Sequence, residues 1–176
     1  MGELNDMDIR IVDMDKCHWP EISRIYGQGI ATGLATFESQ VPTQASFFGG
    51  KIPTLSVVAL ALDQVSSGVQ VVGWAAAAQV SSRPAYRGVV EHSIYVDPKH
   101  VGQGIGRKLM DELIGRASAQ GYWMLQSAII AQNEASRKLH IKTGFREVGR
   151  RERIAQGACA ELSGVWLDTY IYELRL

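Results

Sequence analysis

The sequence predicts an α/β fold, a mixed sheet with helices on both faces. Two observations carry that expectation. Short β-rich runs alternate with stretches of helical spacing along the 176-residue chain, as expected of sheet and helix layers around one core. At the centre, the strand-like run Val89–Val96 leads through a glycine-rich turn into an amphipathic stretch. No linker, internal repeat or low-complexity tract divides the chain. One domain over residues 1–176 is therefore expected, large enough to bury most of its apolar surface.

Met7–Val12 reads as a short strand. A helix follows over Trp19–Ala31, where Ile22, Ile25, Tyr26 and Ile30 fall close to helical spacing and Pro20 is tolerated in the first turn. Thr32–Glu38 is loop-like, and a short helix is expected over Thr43–Lys51. Leu55–Leu62 reads as a buried strand, with a polar turn at Asp63–Gly68. Val69–Val80 is ambiguous because Ala75–Ala78 favour helix by propensity. The Val-Val-Gly-Trp lead-in and the preceding turn favour strand, and strand is the expectation. Val89–Val96 stops at Asp97-Pro98. From Gly104 onward a helix is expected, with Ile105, Leu109, Met110, Leu113, Ile114 and Ala117 on one stripe and Gly121 as its stop. Tyr122–Ile130 reads as strand. Asn133 is a good N-cap for a helix that ends by Gly144, and Phe145–Gly149 and Trp166–Leu174 close the fold as strands.

Composition narrows the classes of function. Lys plus Arg (18) balances Asp plus Glu (18), so no global field draws the chain to nucleic acid or to an anionic membrane. No stretch approaches ~18 consecutive apolar residues, and no membrane span is expected. The acidic start Met-Gly-Glu-Leu-Asn-Asp-Met-Asp lacks an apolar signal core. Cys17 and Cys159 lie far apart with no CxxC pair, which favours reduced thiols and a cytoplasmic location. The four histidines, His18, His92, His100 and His140, lack zinc-ligand spacing, so no metal is expected.

The glycines Gly102, Gly104 and Gly106 sit at a strand–loop–helix junction. Backbone N–H groups at a helix N-terminus form a ready phosphate site. The Walker pattern GxxxxGK[ST] is absent, and the dinucleotide pattern GxGxxG fails because residue 109 is Leu. A phosphate-bearing cofactor of another kind remains, as does a purely structural turn. Glu91, on the preceding strand, offers a carboxylate for proton chemistry, and alternation turns His92 to the opposite face.

The block Val90–Arg107 resembles the acetyl-CoA-binding core of the GNAT N-acetyltransferase superfamily. Ala35-Thr-Phe-Glu38, Arg83-Pro-Ala-Tyr86, Asn133–His140, Gly144-Phe145 and Gly164–Asp168 narrow the resemblance to the phosphinothricin and methionine-sulfoximine acetyltransferase group. It runs from about residue 8 to residue 174, with the motifs in order. It implies a GNAT fold, a central mixed and mostly antiparallel sheet flanked by helices. The implied activity is transfer of an acetyl group from acetyl-CoA to the α-amino group of a small amino acid or analogue. A homodimer is implied as well.

Site residues follow from the same resemblance. The backbone of Ile94, Tyr95 and Val96 would hold the pantetheine arm. Gly102, Gln103, Gly104, Ile105, Gly106 and Arg107 would wrap the pyrophosphate, and Asn133 and Ser136 would bind near the thioester. Glu91 is the expected catalytic base and His140 the expected acid, with water as the alternative proton donor. Phe37, Arg83 and Tyr86 are expected in the acceptor pocket, the arginine suiting a carboxylate or phosphinyl group. The basic run Arg137, Lys138, Lys142, Arg146, Arg150, Arg151 and Arg153 is either a solvated surface or a patch beside the adenosine 3′-phosphate. Two departures stand out: Val101 replaces the family's Arg or Gln before the glycine loop, and the connection Arg150–Ser163 is long. A different amine or protein acceptor, or a non-catalytic acyl-CoA-binding module, are the alternatives. Retention of Glu91, Asn133 and His140 together disfavours the latter.

Overall fold

The computed structural model describes residues 8–63 and 68–176. Met7, expected to open the first strand, and most of the turn expected at Asp63–Gly68 lie outside them. In chain order the elements are β1 (Ile9–Asp13), α1 (Trp19–Ala31), α2 (Gln44–Gly49), β2 (Ser56–Asp63), β3 (Gly68–Gln79), β4 (Val89–Val96), α3 (Ile105–Ala119), β5 (Met124–Ile130), α4 (Glu134–Lys142), β6 (Arg146–Gln156) and β7 (Trp166–Arg175). The strands form one seven-stranded sheet in the order β1-β2-β3-β4-β5-β7-β6.

Alternation on β2 and β3 serves two helix layers at once. One face carries Val58, Val71, Trp74 and Ala76 under Ile22 and Ile25 of α1 and Phe47 of α2. The other carries Val57, Ala59, Val72, Ala75 and Ala77 under Ile105, Leu109, Met110 and Leu113 of α3. This is why Ala75–Ala78 form strand against their helix propensity. A strand packed on both faces has room only for small side chains where the helices approach. The same approach explains Gly73, where a Cβ would meet Leu109 Cδ1 at 3.1 Å and Ile105 Cγ2 at 3.2 Å. A bulge beside it shifts the β2–β3 register between Ala59 and Leu60.

All strand pairs are antiparallel except β4–β5. That parallel pair spans only Val89–Glu91 against Met124–Gln126. Beyond Glu91, β4 continues along β3 as far as Val96, while β5 continues along β7 to Ile130. The sheet therefore splays open between β4 and β5.

One element differs from expectation. The strand expected to stop at Gly149 runs to Gln156, so about half of the expected connection is edge strand, and the turn proper is 157–165. The run Arg150-Arg-Glu-Arg shows no apolar alternation, and β6 is exposed along almost its whole length. Pairing with β7 holds it in the sheet, interrupted between Glu147 and Gly149 and again between Arg151 and Ala155, where Arg153 adopts φ 48°. A strand with no buried face leaves no periodic trace in sequence.

Candidate active site

The splay and the glycine turn meet at the C-terminal end of β4. Past Glu91 the β5-facing edge of β4 has no strand partner, so Ser93–Val96 present free main-chain groups there. The side chains of Ile94 and Val96 pack into the α3 core, leaving only backbone for the gap. Tyr95 turns to the other face, stacks on Trp74 at 4.6 Å and meets Tyr26 edge-on at 5.0 Å. Gly29 makes room for it, since a Cβ there would lie 2.5 Å from Tyr95 Cε1. Burial pushes the Tyr95 hydroxyl well above the usual tyrosine range.

The turn from β4 into α3 is held from below by Asp97. Its carboxylate is fully buried, accepts from the Lys99 amide at 2.9 Å and pairs with Arg24 of α1 at 2.7 Å. Burial opposes its ionisation, but the Lys99 amide and the Arg24 guanidinium outweigh that and hold its pKa below the usual value. Gly102 and Gly104 take left-handed φ of 85° and 76°, which strains any other residue. Gly104 is the N-cap of α3 and contributes no capping side chain, leaving first-turn amides exposed. Gly106 serves packing, because a Cβ there would meet Leu139 of α4 at 3.3 Å. Gln103 Oε1 lies 3.2 Å from His100 Nδ1. Arg107 spends its side chain on Asp111, at 2.8 and 2.9 Å, and on the Lys142 carbonyl at 3.1 Å. Val101 is exposed.

Across the gap, Asn133 caps α4 by accepting from Ser136 N at 3.1 Å. Its Nδ2 reaches the other way and donates to the Leu34 carbonyl at 3.1 Å. The loop after α1 is thereby tied to the α4 N-terminus, and the Tyr95 hydroxyl donates to the next carbonyl, Ala35, at 3.4 Å. Phe37 lies in this loop. The 157–165 turn closes on its far side, where a Cβ on Gly33 would sit 2.9 Å from the Cys159 carbonyl.

Glu91 is exposed on the α1 face of β4, and its Oε2 accepts from Gln126 Nε2 at 3.2 Å across the last rung of the parallel pair. His140, the expected acid, is enclosed on the opposite face and only 1% exposed. Its Nδ1 meets the Ser136 carbonyl at 2.7 Å, and its Nε2 lies 3.0 Å from His92 Nε2. Phe145 and Tyr172 complete the enclosure. An Nδ1–H on His140 satisfies Ser136, so His92 Nε2 donates the middle hydrogen bond and the pair is neutral. Burial pushes His92 down to about 3 and also lowers His140. Sequence reading placed His92 on the far face but missed this pairing, which needs two residues 48 apart to meet.

Arg83 and Tyr86 lie on an exposed turn before β4, with the guanidinium 5.7 Å from the Tyr86 ring centre. Of the basic run, Arg137, Lys138, Arg146 and Arg150 are ion-paired with Glu147, Glu134, Glu173 and Asp168. Lys138, Arg146 and Arg150 belong to the solvated surface, whereas Arg137 is half-buried, donating to the Tyr172 hydroxyl at 3.1 Å and lying over the Tyr170 ring. Cys17 and Cys159 are unbonded. Among the described residues no helix is long and apolar enough to cross a membrane, and no group of three or more His, Cys, Asp or Glu side chains could hold a metal ion.

A splayed parallel pair beside an uncapped, glycine-led helix offers free main-chain groups suited to a phosphate-bearing ligand. The chain belongs to the acetyltransferase (GNAT) family, whose model matches residues 41–145, and it is an acetyl-CoA-dependent N-acetyltransferase. It is 29% identical over 173 residues to the L-methionine sulfoximine/L-methionine sulfone acetyltransferase of Pseudomonas paraeruginosa, covering 97% of this chain and 96% of that one. It is 30% identical to the phosphinothricin N-acetyltransferase of Alcaligenes faecalis, covering 96% of this chain and 82% of that one. A phosphinothricin acetyltransferase from Sinorhizobium meliloti, solved in complex with acetyl-CoA, superposes with a TM-score of 0.81 at 30% identity, covering 97% and 89% of the two chains.

Proposed function

We propose that this chain, as a single domain over residues 1–176, acetylates the α-amino group of a small amino acid or analogue of the phosphinothricin or methionine-sulfoximine type. The observation that carries the proposal is Glu91 standing exposed at the mouth of the β4–β5 splay, where the parallel pairing ends. Acetyl-CoA supplies an activated acetyl group as a thioester. The backbone of Ile94, Tyr95 and Val96 holds its pantetheine arm, and the amides from Gly102 through Arg107 hold its pyrophosphate. Left-handed Gly102 and Gly104 and the uncapped start of α3 fit that role. Asn133 and Ser136 stand at the far side of the gap. An amine attacks only in its neutral form, so Glu91 removes the ammonium proton, directly or through water. Main-chain N–H groups on the free β4 edge stabilise the oxygen on which charge develops.

Water protonates the departing thiolate in this scheme. Both ring nitrogens of His140 are engaged, by Ser136 and His92, and the ring is buried. Phe37, Arg83 and Tyr86 line the acceptor side. A homodimer in the cytoplasm is the proposed setting. The exposed Val148, Ile154, Val165 and Trp166 near the β6 edge support an interface, and the two free thiols support a reducing compartment.

The test is release of free CoA from acetyl-CoA with L-phosphinothricin, L-methionine sulfoximine, L-methionine sulfone, spermidine and a peptide N-terminus as acceptors. Turnover confined to the amino-acid analogues is expected. Turnover with only the polyamine or peptide overturns the acceptor assignment, and tight acetyl-CoA binding without any turnover makes the chain a binding module.

A further inference from the structure

Lys51 lies outside every motif described so far, yet the fold delivers it to the catalytic end of the sheet. It follows α2, and its amide donates back to the Phe48 carbonyl at 3.4 Å. The next amide, Ile52, donates to Ala77 of β3 at 2.8 Å, pinning the segment to the sheet. Ala77 and Ala78 pair with His92 and Glu91 in the β3–β4 ladder. Lys51 therefore enters at the same rungs as the proposed base, with its ammonium 5.8 Å from the Phe47 ring centre.

The side chain is partly buried. That burial lowers the Lys51 pKa, while the charge of Glu91 acts in the opposite direction. Despite that proximity, Lys51 belongs to none of the ion pairs among the described residues. A cation and a carboxylate at the same rungs that do not form an ion pair match a ligand bearing both charges. An α-amino acid at neutral pH is such a ligand, with its ammonium toward Glu91 and its carboxylate toward Lys51. Arg83 is less suited to this task, since it is exposed on the turn before β4 and lies over Tyr86.

We propose that Lys51 anchors the acceptor's α-carboxylate, so that the site selects zwitterionic α-amino acids over amines lacking that group. This rests on the reading of Glu91 as the group that receives the ammonium. The test compares kcat/KM for L-methionine sulfoximine and for its α-carboxamide in wild type, K51M, K51R and R83M. Wild type is expected to prefer the acid by about tenfold or more. K51M should lose that preference through a higher KM for the acid, with the KM for acetyl-CoA unchanged, and K51R should keep most of it. Should K51M fold poorly, reductive methylation of the wild-type protein gives a second measurement: the acid, and not the carboxamide, should protect Lys51. Equal losses for acid and carboxamide in K51M, no protection, or loss of preference in R83M alone overturns the anchor and leaves the acceptor class intact. Acetylation of neither compound by wild type overturns both.

Discussion

On the proposed donor side, the structure offers main-chain groups: the free edge of β4, the left-handed glycines and the first amides of α3. On the proposed acceptor side it offers side chains brought from distant parts of the chain, namely Glu91 from β4, Lys51 after α2, Phe37 on the loop after α1, and Arg83 and Tyr86 before β4. The two sides respond differently to substitution. A backbone site tolerates changes such as Val101, because its ligands are N–H groups that any residue supplies. A side-chain site changes its substrate with one residue. This difference explains how one donor is retained in a family while acceptors vary.

The largest effect expected from breaking the acceptor side is at the base. Glu91→Gln should lower kcat/KM for the amine by about a hundredfold or more near neutral pH. The deficit should shrink as pH rises past the amine pKa, because the substrate then arrives deprotonated. Acetyl-CoA affinity, measured by calorimetry, should stay within a few-fold. A rate loss independent of pH would remove Glu91 from proton transfer and leave it a positioning role.

The donor side breaks through its backbone. Gly104→Val places a β-branched side chain at φ 76° with no neighbour within 4 Å of the new Cβ. Its Cβ therefore adds no clash, and the left-handed strain costs about 1–2 kcal/mol. Acetyl-CoA affinity should fall by about tenfold as the turn relaxes away from the geometry that aims its amides. The KM of the acceptor should hardly move, and a comparable rise in both constants would erase the distinction between the two sides.

Legibility in the sequence follows the same division. The donor side is local: β4, the glycine turn and α3 are contiguous, and positive φ explains Gly102 and Gly104 by residue type alone. Asn133 announces itself as an N-cap. The acceptor side depends on tertiary meetings that no local pattern encodes. Lys51 reads as the polar end of a short helix; the same holds beneath the donor turn, where Arg24 and Asp97 give no hint that they will pair at 2.7 Å. The full length of β6 is illegible because that edge strand buries no face. The strand through Ala75–Ala78 was readable only from its flanks, as its small residues record the approach of two helix layers.

Between the two sides lies the His92–His140 pair, and its pH response follows from the downward shifts of both rings. Above the unfolded value near 6.5 both histidines are neutral in either state, so their contribution to stability is fully present. As pH falls below that value, the unfolded chain takes up protons before the folded one does, His92 holding out until about 3 and His140 shifted in the same direction. Stability should therefore drop by about 1 kcal/mol between pH 7 and pH 5.5 on account of His92, with a further drop of the same sign from His140. Urea titrations of wild type and a His92→Phe, His140→Phe double variant should show the drop in the first and less of it in the second. Equal slopes would mean that the pair takes up protons in the fold.

Asn133 gives the finest test, because a single side chain serves both sides. Its Oδ1 caps α4, and its Nδ2 ties down the Leu34 carbonyl and with it the loop carrying Phe37. Asn133→Ser keeps a capping oxygen but cannot reach Leu34, whereas Asn133→Ala loses both functions. The alanine variant should be about 1 kcal/mol less stable than wild type, and the serine variant nearly as stable as wild type. Both should raise the acceptor KM by several-fold, about the factor that one lost hydrogen bond implies. If serine restores the acceptor KM along with stability, the Leu34 tie contributes nothing, and Asn133 serves the acceptor only through the position of α4.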